Sequence, residues 1–455
     1  MDKHLMLLSV PGLRERDLTR MPRLGKLTAA GDSAGLVPSF PAVTCPVQAN
    51  MTTGVLPSEH GVVANGFYWR ERHEIEMWTA WNDCITAPQI WDTLRERDAS
   101  ATSAVWFPLH SKGCGAAYIC TPAPIHNPDG SESLWCYTRP EMLYGELRDA
   151  LGHFPLQHFW GPMANVKSSQ WIAQSAVIAA QQQRPNFFYI YLPHLDYAAQ
   201  KSGPDSADAE QAVSDLDAVL GQLFDGMSAA YDGADLQWII ASEYAIGAVD
   251  RVVYPNRVLR EAGLLRVSSE DVDATNTGHT GQGSGEVLDL AGSDAWALVD
   301  HQFAHVFVRD ADARIIARVA QLFAGLESVA EVLVGDELAR YGLDHPRSGE
   351  VVLVAEPDSW FAYYYWLDDA QAPSFARTVD IHRKPGYDPV ELHVDMATRS
   401  IPLDATLVRG SHGAPVTTAA QQGVILTSHS GTLDNKTIRD VDVHDVVLRR
   451  LGVGR

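Results

Sequence analysis

The segment FPAVTCPVQANMTTG, residues 40–54, contains a threonine whose setting suits nucleophilic chemistry. Pro41 and Pro46 bracket a turn, and the pattern after them predicts a helix that begins near Thr44 or Cys45. A hydroxyl at a helix N-terminus lies beside unpaired backbone N–H groups and the positive end of the helix dipole. That placement can lower a hydroxyl pKa and hold a phosphoryl group. A threonine there can equally be a simple N-cap, and the position alone does not decide between these roles.

Two pairs of histidine and aspartate have the residue types and spacing of metal ligands. His194 and Asp196 follow an apolar run two positions apart, and Asp380 and His382 repeat that spacing. At the end of a strand, side chains two residues apart project from the same face, so we expect each pair to converge. Mixed nitrogen and oxygen ligands suit zinc, manganese or iron. A single histidine is as readily a surface or satisfied core residue.

Basic side chains flank the second pair. Arg377, Arg383 and Lys384 could neutralise a phosphate or carboxylate on a substrate, or could form a solvated basic turn. His279 lies in a glycine-rich stretch, residues 275–286, that could close over a site.

Short apolar runs alternate with longer helical patterns along most of the chain. We predict helices near 20–30, 89–97 and 208–227, and core strands at 4–10, 102–107, 186–192, 235–242 and 423–428. Continuous apolar strands separated by helices indicate an α/β protein with a mostly parallel central sheet covered by helices on both faces. Ligands of such sheets bind at the carboxyl ends of the strands, where the polar clusters above fall.

The part from 251 to 404 differs in composition and pattern, with more aspartate and glycine and a separate set of predicted strands and helices. We interpret it as an inserted cap or subdomain that contributes to the site. Residues 1–250 and 405–455 would then form the α/β core.

Six segments occur in one order and at characteristic separations, and together they resemble a known family. They are MPRLGKLTAAG (21–31), FPAVTCP (40–46), TTGVLPSEHGVVANGFY (52–68), YLPHLDYAAQKSGP (191–204), SEYAI (242–246) and GSHGA (410–414). The chain resembles the type I phosphodiesterase/nucleotide pyrophosphatase branch of the alkaline phosphatase superfamily over about residues 5–250 and 405–430. The resemblance implies an alkaline phosphatase-like fold.

The resemblance also implies roles for individual residues. Thr44 would attack phosphorus, and Asn65 would hold a phosphoryl oxygen. Asp196 and His412 would bind one divalent ion, and a second ion would be bound partly by Thr44. Such a pair of ions clamps the attacking and leaving oxygens of an in-line displacement.

Several expected metal ligands are replaced in this chain. The family's Asp-Gly after the first strand is Pro11-Gly12, its Asp-x-x-x-His run ends in Gln200, and its Asp-His pair is Glu243-Tyr244. A two-zinc site cannot be assembled from these positions, because proline has no side chain that binds metal.

We therefore expect one ion rather than two, with zinc the first choice and manganese or iron the alternatives. Its ligands would be Asp196, His412 and either His382 or His194, with Glu243 beside it. Tyr244 could be a metal-bound phenolate or a proton donor, or could fill the space of a histidine. Gln200, Tyr244, Arg383 and Lys384 are candidate substrate-binding residues.

Composition limits the class of partner. The chain has 35 Lys+Arg against 57 Asp+Glu, a formal charge of −22, which disfavours a nucleic-acid polymer but permits a small anionic metabolite at a locally favourable site. The five cysteines include no Cys-x-x-Cys pair. Without a targeting pattern or an apolar run of about 18 residues, we expect a cytoplasmic protein with no membrane span.

The function these observations favour is a metal-dependent hydrolase or transferase of a phosphate ester, a phosphodiester or a related oxyanion ester, with Thr44 as nucleophile. Two alternatives stay open. The altered site could run different single-metal chemistry on a small metabolite, or the chain could be a pseudoenzyme that binds a ligand without phosphodiesterase activity.

Overall fold

The computed structural model describes residues 3–126, 132–269 and 285–454. Within these residues, thirteen strands form two large sheets. In chain order they are β1 (His4–Ser9), β2 (Ser33–Val37), β3 (Ser103–Trp106), β4 (Tyr118–Pro122), β5 (Cys136–Arg139), β6 (Phe187–Tyr191), β7 (Leu236–Ala241), β8 (Ala295–Asp300), β9 (Phe303–Val308), β10 (Val329–Val334), β11 (Val351–Ala355), β12 (Gly423–Thr427) and β13 (Thr437–Arg439).

The central sheet has nine strands in the order β13-β2-β12-β7-β1-β6-β3-β4-β5. Parallel pairing joins β7, β1, β6, β3 and β4 in one run, and it also joins β2 to β13. Strand β12 pairs antiparallel with β7 and β2, and β5 pairs antiparallel with β4. The predicted strands at 4–10, 102–107, 186–192, 235–242 and 423–428 are all in this sheet, so the prediction of a mostly parallel α/β core is confirmed.

Helices cover both faces of the central sheet. The helices of the described residues are α1 (Pro22–Thr28), α2 (Thr44–Thr53), α3 (Pro57–His60), α4 (Ile90–Arg97), α5 (Leu143–Leu151), α6 (Val166–Gln183), α7 (His194–Ser202), α8 (Ala207–Ala230), α9 (Pro255–Glu261), α10 (Ala313–Phe323) and α11 (Asp442–Leu451). Met6 and Leu8 of β1 pack with α1, α5, α6 and α8, whereas Leu5 and Leu7 pack with α2, α4 and α11. Successive side chains of a strand point to opposite faces, which explains this division.

A second sheet stands between β7 and β12 in the chain. Its four antiparallel strands have the order β8-β9-β11-β10 and enclose a separate core with α9 and α10. This sheet forms the inserted subdomain that the sequence predicts. The exact limits, 251 and 404, stay a prediction.

Short two-stranded ribbons complete the described strands. They pair Gly66–Trp69 with Glu74–Met77, Ile125–His126 with Glu132–Ser133, Val267–Ser269 with Glu286–Leu288, Arg251–Val253 with Ser359–Phe361, and Gly247–Ala248 with Gly410–Ser411. The last ribbon places His412, the next residue in the chain, beside the segment that follows β7. All five cysteines are buried and free, which agrees with the absence of a Cys-x-x-Cys pair.

Candidate active site

Helix α2 presents Thr44 at its first position. Val43 is extended, and Pro46 falls in the first turn, where a missing N–H removes no intrahelical hydrogen bond. The helix ends at Gly54, whose φ of 77° is a left-handed conformation that glycine adopts at little cost. All ten residues of α2 are buried. The predicted helix start is therefore confirmed, and Thr44 is held inside the protein.

Hydrogen bonds to Asp440 fix the position of α2. The Asp440 carboxylate accepts from Ser39 Oγ at 2.6 Å and from Asn50 Nδ2 at 2.7 Å. The Asn50 side-chain oxygen in turn lies 2.7 Å from His60 Nε2. These buried contacts join the helix to the segments before and after it, so the Thr44 hydroxyl is held by a rigid support.

A chain of hydroxyls leads from Thr44 to Asp196. Thr44 Oγ1 lies 2.9 Å from the Tyr244 hydroxyl, which donates a longer hydrogen bond of 3.4 Å to Asp196 Oδ1. Because Tyr244 donates to Asp196, its oxygen accepts from Thr44. Burial raises the pKa of Asp196 to about 7 and that of Tyr244 well above its ordinary value.

His412 packs directly on this chain. Its ring stacks on Tyr244 with centroids 3.6 Å apart, and its Nε2 lies 3.9 Å from Asp196 Oδ1. Nδ1 lies 2.8 Å from the Ala42 carbonyl oxygen, which can only accept, so the proton of the neutral ring is on Nδ1. Nε2 is buried and makes no hydrogen bond with the described residues, and burial lowers the pKa of His412 well below its ordinary value. The structure thus brings Thr44, Asp196 and His412 together, as the sequence predicts.

Glu243 follows the carboxyl end of β7 and directly precedes Tyr244 in the chain. Its Oε1 accepts from Ser9 Oγ at 2.6 Å and from Gln48 Nε2 at 2.7 Å, whereas its buried Oε2 has no hydrogen-bond partner among the described residues. Burial raises the pKa of Glu243 to about 8. An unpartnered carboxyl oxygen at this depth is suited to meet a ligand atom or a proton.

Asn65 is held between α2 and the inserted subdomain. Its side-chain oxygen accepts from the Cys45 backbone N–H at 2.9 Å, and its amide nitrogen donates to Asp300 Oδ1 at 3.1 Å. The amide carries two N–H groups and makes one hydrogen bond within the described residues, so its second N–H is a candidate donor to a ligand oxygen.

Asp300 and His301 are site residues that the sequence reasoning missed. Asp300 also accepts from the Asn65 backbone N–H at 2.8 Å, and its Oδ1 lies 2.6 Å from His301 Nδ1. The His301 ring lies 3.9 Å from that of His412 and stacks on Tyr387 at 3.8 Å. A possible signal was the Asp-His pair that ends the apolar run 296–301, inside the region predicted to be a cap.

The expected convergence of His194 with Asp196 is wrong. Both residues lie in the first turn of α7 instead of at a strand end, so they project about 200° apart around the helix. His194 is buried, its pKa is lowered to about 4 by burial, and neither ring nitrogen has a hydrogen-bond partner among the described residues. Its ring forms a T-shaped pair with the ring of Tyr197 instead.

The segment around Asp380 also differs from expectation. His382 is exposed and lies 3.2 Å from the Met77 carbonyl oxygen, and exposed Arg383 pairs with Asp380. Lys384 is buried between Asp388, at 2.8 Å, and Glu391, at 2.5 Å. Its charge is used inside the protein, which corrects its expected role in substrate binding, and Arg383 is likewise held in a local surface pair.

Gln200 stands where the family has a metal-binding histidine, and here it contacts Tyr387. Its side-chain oxygen accepts from the Tyr387 hydroxyl at 2.8 Å, and its buried amide nitrogen has no partner among the described residues. Its role in substrate binding stays a prediction. His279 lies outside the described residues.

The donor set does not fit the metal ions that the resemblance implies. No group of three or more His, Cys, Asp or Glu side chains that could hold a metal occurs within residues 3–126, 132–269 and 285–454. A zinc ion bound by Asp196 or Thr44 would lie about 2.0–2.2 Å from their oxygens, in the region where the Tyr244 hydroxyl contacts both. The expected single-metal set of Asp196, His412 and a further histidine is not assembled, so we assign no chemical step to a metal.

Three buried carboxyls give the fold a predictable pH dependence. Burial raises the pKa of Glu243 from 4.5 to about 8, and those of Asp196 and Asp300 from 3.8 to about 7. Between its unfolded and folded pKa, each of these carboxyls binds more protons in the folded state than in the unfolded chain, which lowers the free energy of unfolding as pH rises. Buried histidines whose pKa is lowered, such as His301, His305 and His412, act in the opposite direction below their ordinary value of 6.5. Urea unfolding should therefore show stability that decreases from about pH 6.5 to about pH 8.

Glu243→Gln is expected to flatten this pH dependence, because the amide oxygen can still accept from Ser9 and Gln48 but no longer titrates. Glu96→Gln, at an exposed position, is the matched control and should leave the slope unchanged. Equal slopes for all three proteins would contradict the pKa assignment.

A cavity of about 350 Å³ adjoins the site. Tyr244 and His412 form part of its wall, together with Ala42, Gln302 and Gly413. Its volume is at the lower end of small-molecule sites, so a ligand lodged in it and touching both rings would be small.

No helix among the residues that the structure describes is long and apolar enough to cross a membrane. The cellular location stays a prediction.

Comparisons of the sequence with known proteins identify a family and several relatives. Residues 5–388 match the sequence profile of a family described as Type I phosphodiesterase / nucleotide pyrophosphatase. An uncharacterized pyrophosphatase/phosphodiesterase of Schizosaccharomyces pombe is 22% identical over 200 residues, which are 42% of this chain and 33% of that protein. Ectonucleotide pyrophosphatase/phosphodiesterase 1 of Saccharomyces cerevisiae is 23% identical over 236 residues, 50% of this chain and 30% of that protein. The matches span only about a third of these curated relatives.

Solved structures share the fold over nearly the whole chain. Phosphonoacetate hydrolase of Sinorhizobium meliloti superposes with a TM-score of 0.62 at 17% identity, covering 99% of this chain and 96% of that one. Human ectonucleotide pyrophosphatase/phosphodiesterase 5 superposes with a TM-score of 0.61 at 15% identity, covering 99% and 95%. At these identities the likeness shows the alkaline phosphatase-like fold.

Proposed function

Because the chain belongs to the type I phosphodiesterase/nucleotide pyrophosphatase family, we propose that it transfers the phosphoryl group of a small phosphate ester, or of a related oxyanion ester, to Thr44. The observation that carries this proposal is the 2.9 Å contact between Thr44 Oγ1 and a tyrosine hydroxyl that itself donates to a buried carboxylate. A nucleophile, a proton path and a proton acceptor are thereby aligned without a metal pair.

In the first step, Thr44 Oγ1 forms a bond to phosphorus as the bond from phosphorus to the leaving oxygen breaks. The Thr44 proton passes to the Tyr244 oxygen as the Tyr244 proton passes to Asp196. Ionised Asp196 is the required acceptor, and its pKa of about 7 leaves much of it ionised at neutral pH. Water then forms a bond to phosphorus as the bond from phosphorus to Thr44 Oγ1 breaks, and the proton held by Asp196 returns to Thr44 by the same path. The proton that water releases balances the one that the leaving alkoxide takes up in the first step.

Glu243 would have the complementary role. Its pKa of about 8 keeps it largely protonated at neutral pH, and the unpartnered Oε2 could then donate to a phosphoryl oxygen. Asn65, with its second amide N–H, would hold another oxygen. Because these donors are uncharged, the site favours a small ester of low negative charge over a polyphosphate. The expected small anionic metabolite fits this description.

Properties stated for related structures support this proposal. The S. meliloti relative is a phosphonoacetate hydrolase observed with phosphonoacetate. Murine ectonucleotide pyrophosphatase/phosphodiesterase 5 was observed with AMP as an inactive variant in which one threonine is replaced by alanine. Both act on or bind small molecules with a phosphorus oxyanion.

A second candidate function is ligand binding without turnover. The observation that favours it is Tyr244, whose hydroxyl contacts the nucleophile and whose ring stacks on His412 where the family places metal ligands. In this case a small oxyanion would occupy the site and leave unchanged.

A substrate panel with a tyrosine variant separates these functions. Phosphate monoesters, diesters and phosphonates are incubated with the protein and with Tyr244→Phe, each with and without a chelator. We expect turnover of at least one ester that a chelator does not reduce, and a loss of about 10²-fold to 10⁴-fold in kcat for Tyr244→Phe, because the proton path is broken.

Other outcomes would point elsewhere. Activity that a chelator removes and zinc restores would overturn the proposed metal-independent route. Binding of an ester, measured by calorimetry, without turnover of any would favour the second candidate.

A further inference from the structure

The hairpin turn of the inserted subdomain places an Asp-His pair at the site. Asp300 ends β8, Phe303 begins β9, and the two residues between them are His301 and Gln302. His301 has a φ of +58°, a left-handed conformation that glycine or asparagine adopts more easily than histidine in such turns. The backbone strain is therefore accepted at a residue whose side chain contacts His412 of the candidate site.

Contacts among these side chains close a ring around the first turn of α2. Thr44 contacts Tyr244, Tyr244 stacks on His412, and the His412 ring lies 3.9 Å from that of His301. From His301 the ring continues through Asp300 and Asn65 to the backbone of the residue after Thr44. A substrate phosphorus bonded to Thr44 would lie beside this ring.

Asp300 and Tyr387 fix the orientation of the His301 ring. Asp300 Oδ1 holds Nδ1 at 2.6 Å, and Tyr387 covers one face of the ring at 3.8 Å. Asp300 engages only Nδ1, so Nε2, on the opposite edge of the ring, is not occupied by this carboxyl. A carboxyl that orients a histidine through one ring nitrogen and leaves the other to a second partner is the arrangement of a proton-transfer pair.

We propose that His301, held by Asp300, exchanges the proton of the leaving oxygen at the Thr44 site; this inference rests on the function proposed above. Before the first step, neutral His301 carries its proton on Nε2, and Asp300 is protonated and donates to His301 Nδ1. Nε2 gives its proton to the departing alkoxide while the Asp300 proton moves to Nδ1. In the second step Nε2 takes a proton from the attacking water and the pair returns to its starting state.

The replaced metal ligands explain why the leaving oxygen would need a proton donor such as the Asp300–His301 pair. A metal ion in this fold would stabilise the leaving oxygen as negative charge develops on it. Where no ion holds that oxygen, a proton donor performs the same task, and its value grows as the leaving alcohol becomes less acidic.

Leaving-group dependence tests the proposal. His301→Asn tolerates the left-handed turn but cannot transfer a proton, and Asp300→Asn leaves the histidine in place without its carboxyl. Each variant is assayed on two matched esters, one with a nitrophenol leaving group and one with a simple alcohol. We expect His301→Asn to lose about 100-fold or more in kcat on the alkyl ester and only a few fold on the nitrophenyl ester.

Gln302→Ala in the same turn is the control, and its effect on kcat should be equal for the two esters.

Thermal unfolding of each variant shows whether it is folded. If His301→Asn does not fold, Asp300→Asn should show the same dependence on the leaving group. Equal losses on both esters for folded His301→Asn would overturn this inference and leave the Thr44 proposal intact. If Thr44→Ala stays fully active, or if the unaltered protein turns over neither ester, both proposals fail.

Discussion

Replacing Thr44 by alanine is expected to lower kcat/KM for the best ester of the panel by about 10⁴-fold or more, because no other described hydroxyl combines the start of α2 with the Tyr244 contact. Mass spectrometry of the unaltered protein, quenched during turnover, should find a phosphoryl group on Thr44. The same adduct should be absent from Thr44→Ala.

Thr44→Ser is the matched control for this prediction. A serine hydroxyl can reach Tyr244 and attack phosphorus, so activity should stay within about 10-fold to 100-fold of the unaltered protein. Full turnover by Thr44→Ala would contradict the covalent route. An unaltered protein that hydrolyses the ester with no trapped adduct, together with a fully active alanine variant, would place the attack on water instead.

Replacing Lys384 by methionine is expected to destabilise the fold by about 3–5 kcal/mol, because it leaves two buried carboxylates without their cation. Lys384, Asp388 and Glu391 are each no more than 2% exposed at their side chains. Glu391 also accepts from Trp160 Nε1 at 2.6 Å and from the Asp380 backbone N–H. The measurement is the free energy of unfolding in urea.

Arg383→Met is the control, since this neighbouring side chain pairs with Asp380 at the surface and should cost about 1 kcal/mol or less. Adding Asp388→Asn and Glu391→Gln to Lys384→Met should recover part of the lost stability by removing the unpaired charges. A Lys384→Met protein as stable as Arg383→Met would show that the buried ion pairs contribute nothing.

Much of the core could be predicted from local pattern. Strands β1, β6 and β7 are continuous apolar runs with helical segments between them, and such runs form buried parallel strands because both faces are covered. The antiparallel placement of β12 between β7 and β2 could not be predicted, because strand direction depends on the path of long connections. The same limit applies to the order of the inserted sheet.

Candidate site residues that belong to a local sequence motif could be predicted. Those that reach the site only through tertiary contacts could not. Thr44 at a helix start, with Asp196 and His412, could be identified from turns and from the resemblance. His194 was misplaced because α7 begins directly at that residue, and a helix separates side chains that a strand would align. His301 and Tyr387 reach the site only through packing of the inserted subdomain, which no local pattern encodes.

The ribbon of Gly247–Ala248 and Gly410–Ser411 ties the chain together just before and just after the inserted part. Because the two ends meet at one backbone ladder, everything between them is a module closed at its base. We therefore expect changes of length inside this module to leave the core strands in place, with His412 held next to the ladder. One side of the candidate site, the turn between β8 and β9, belongs to this module, whereas the Thr44 hydroxyl belongs to the central core.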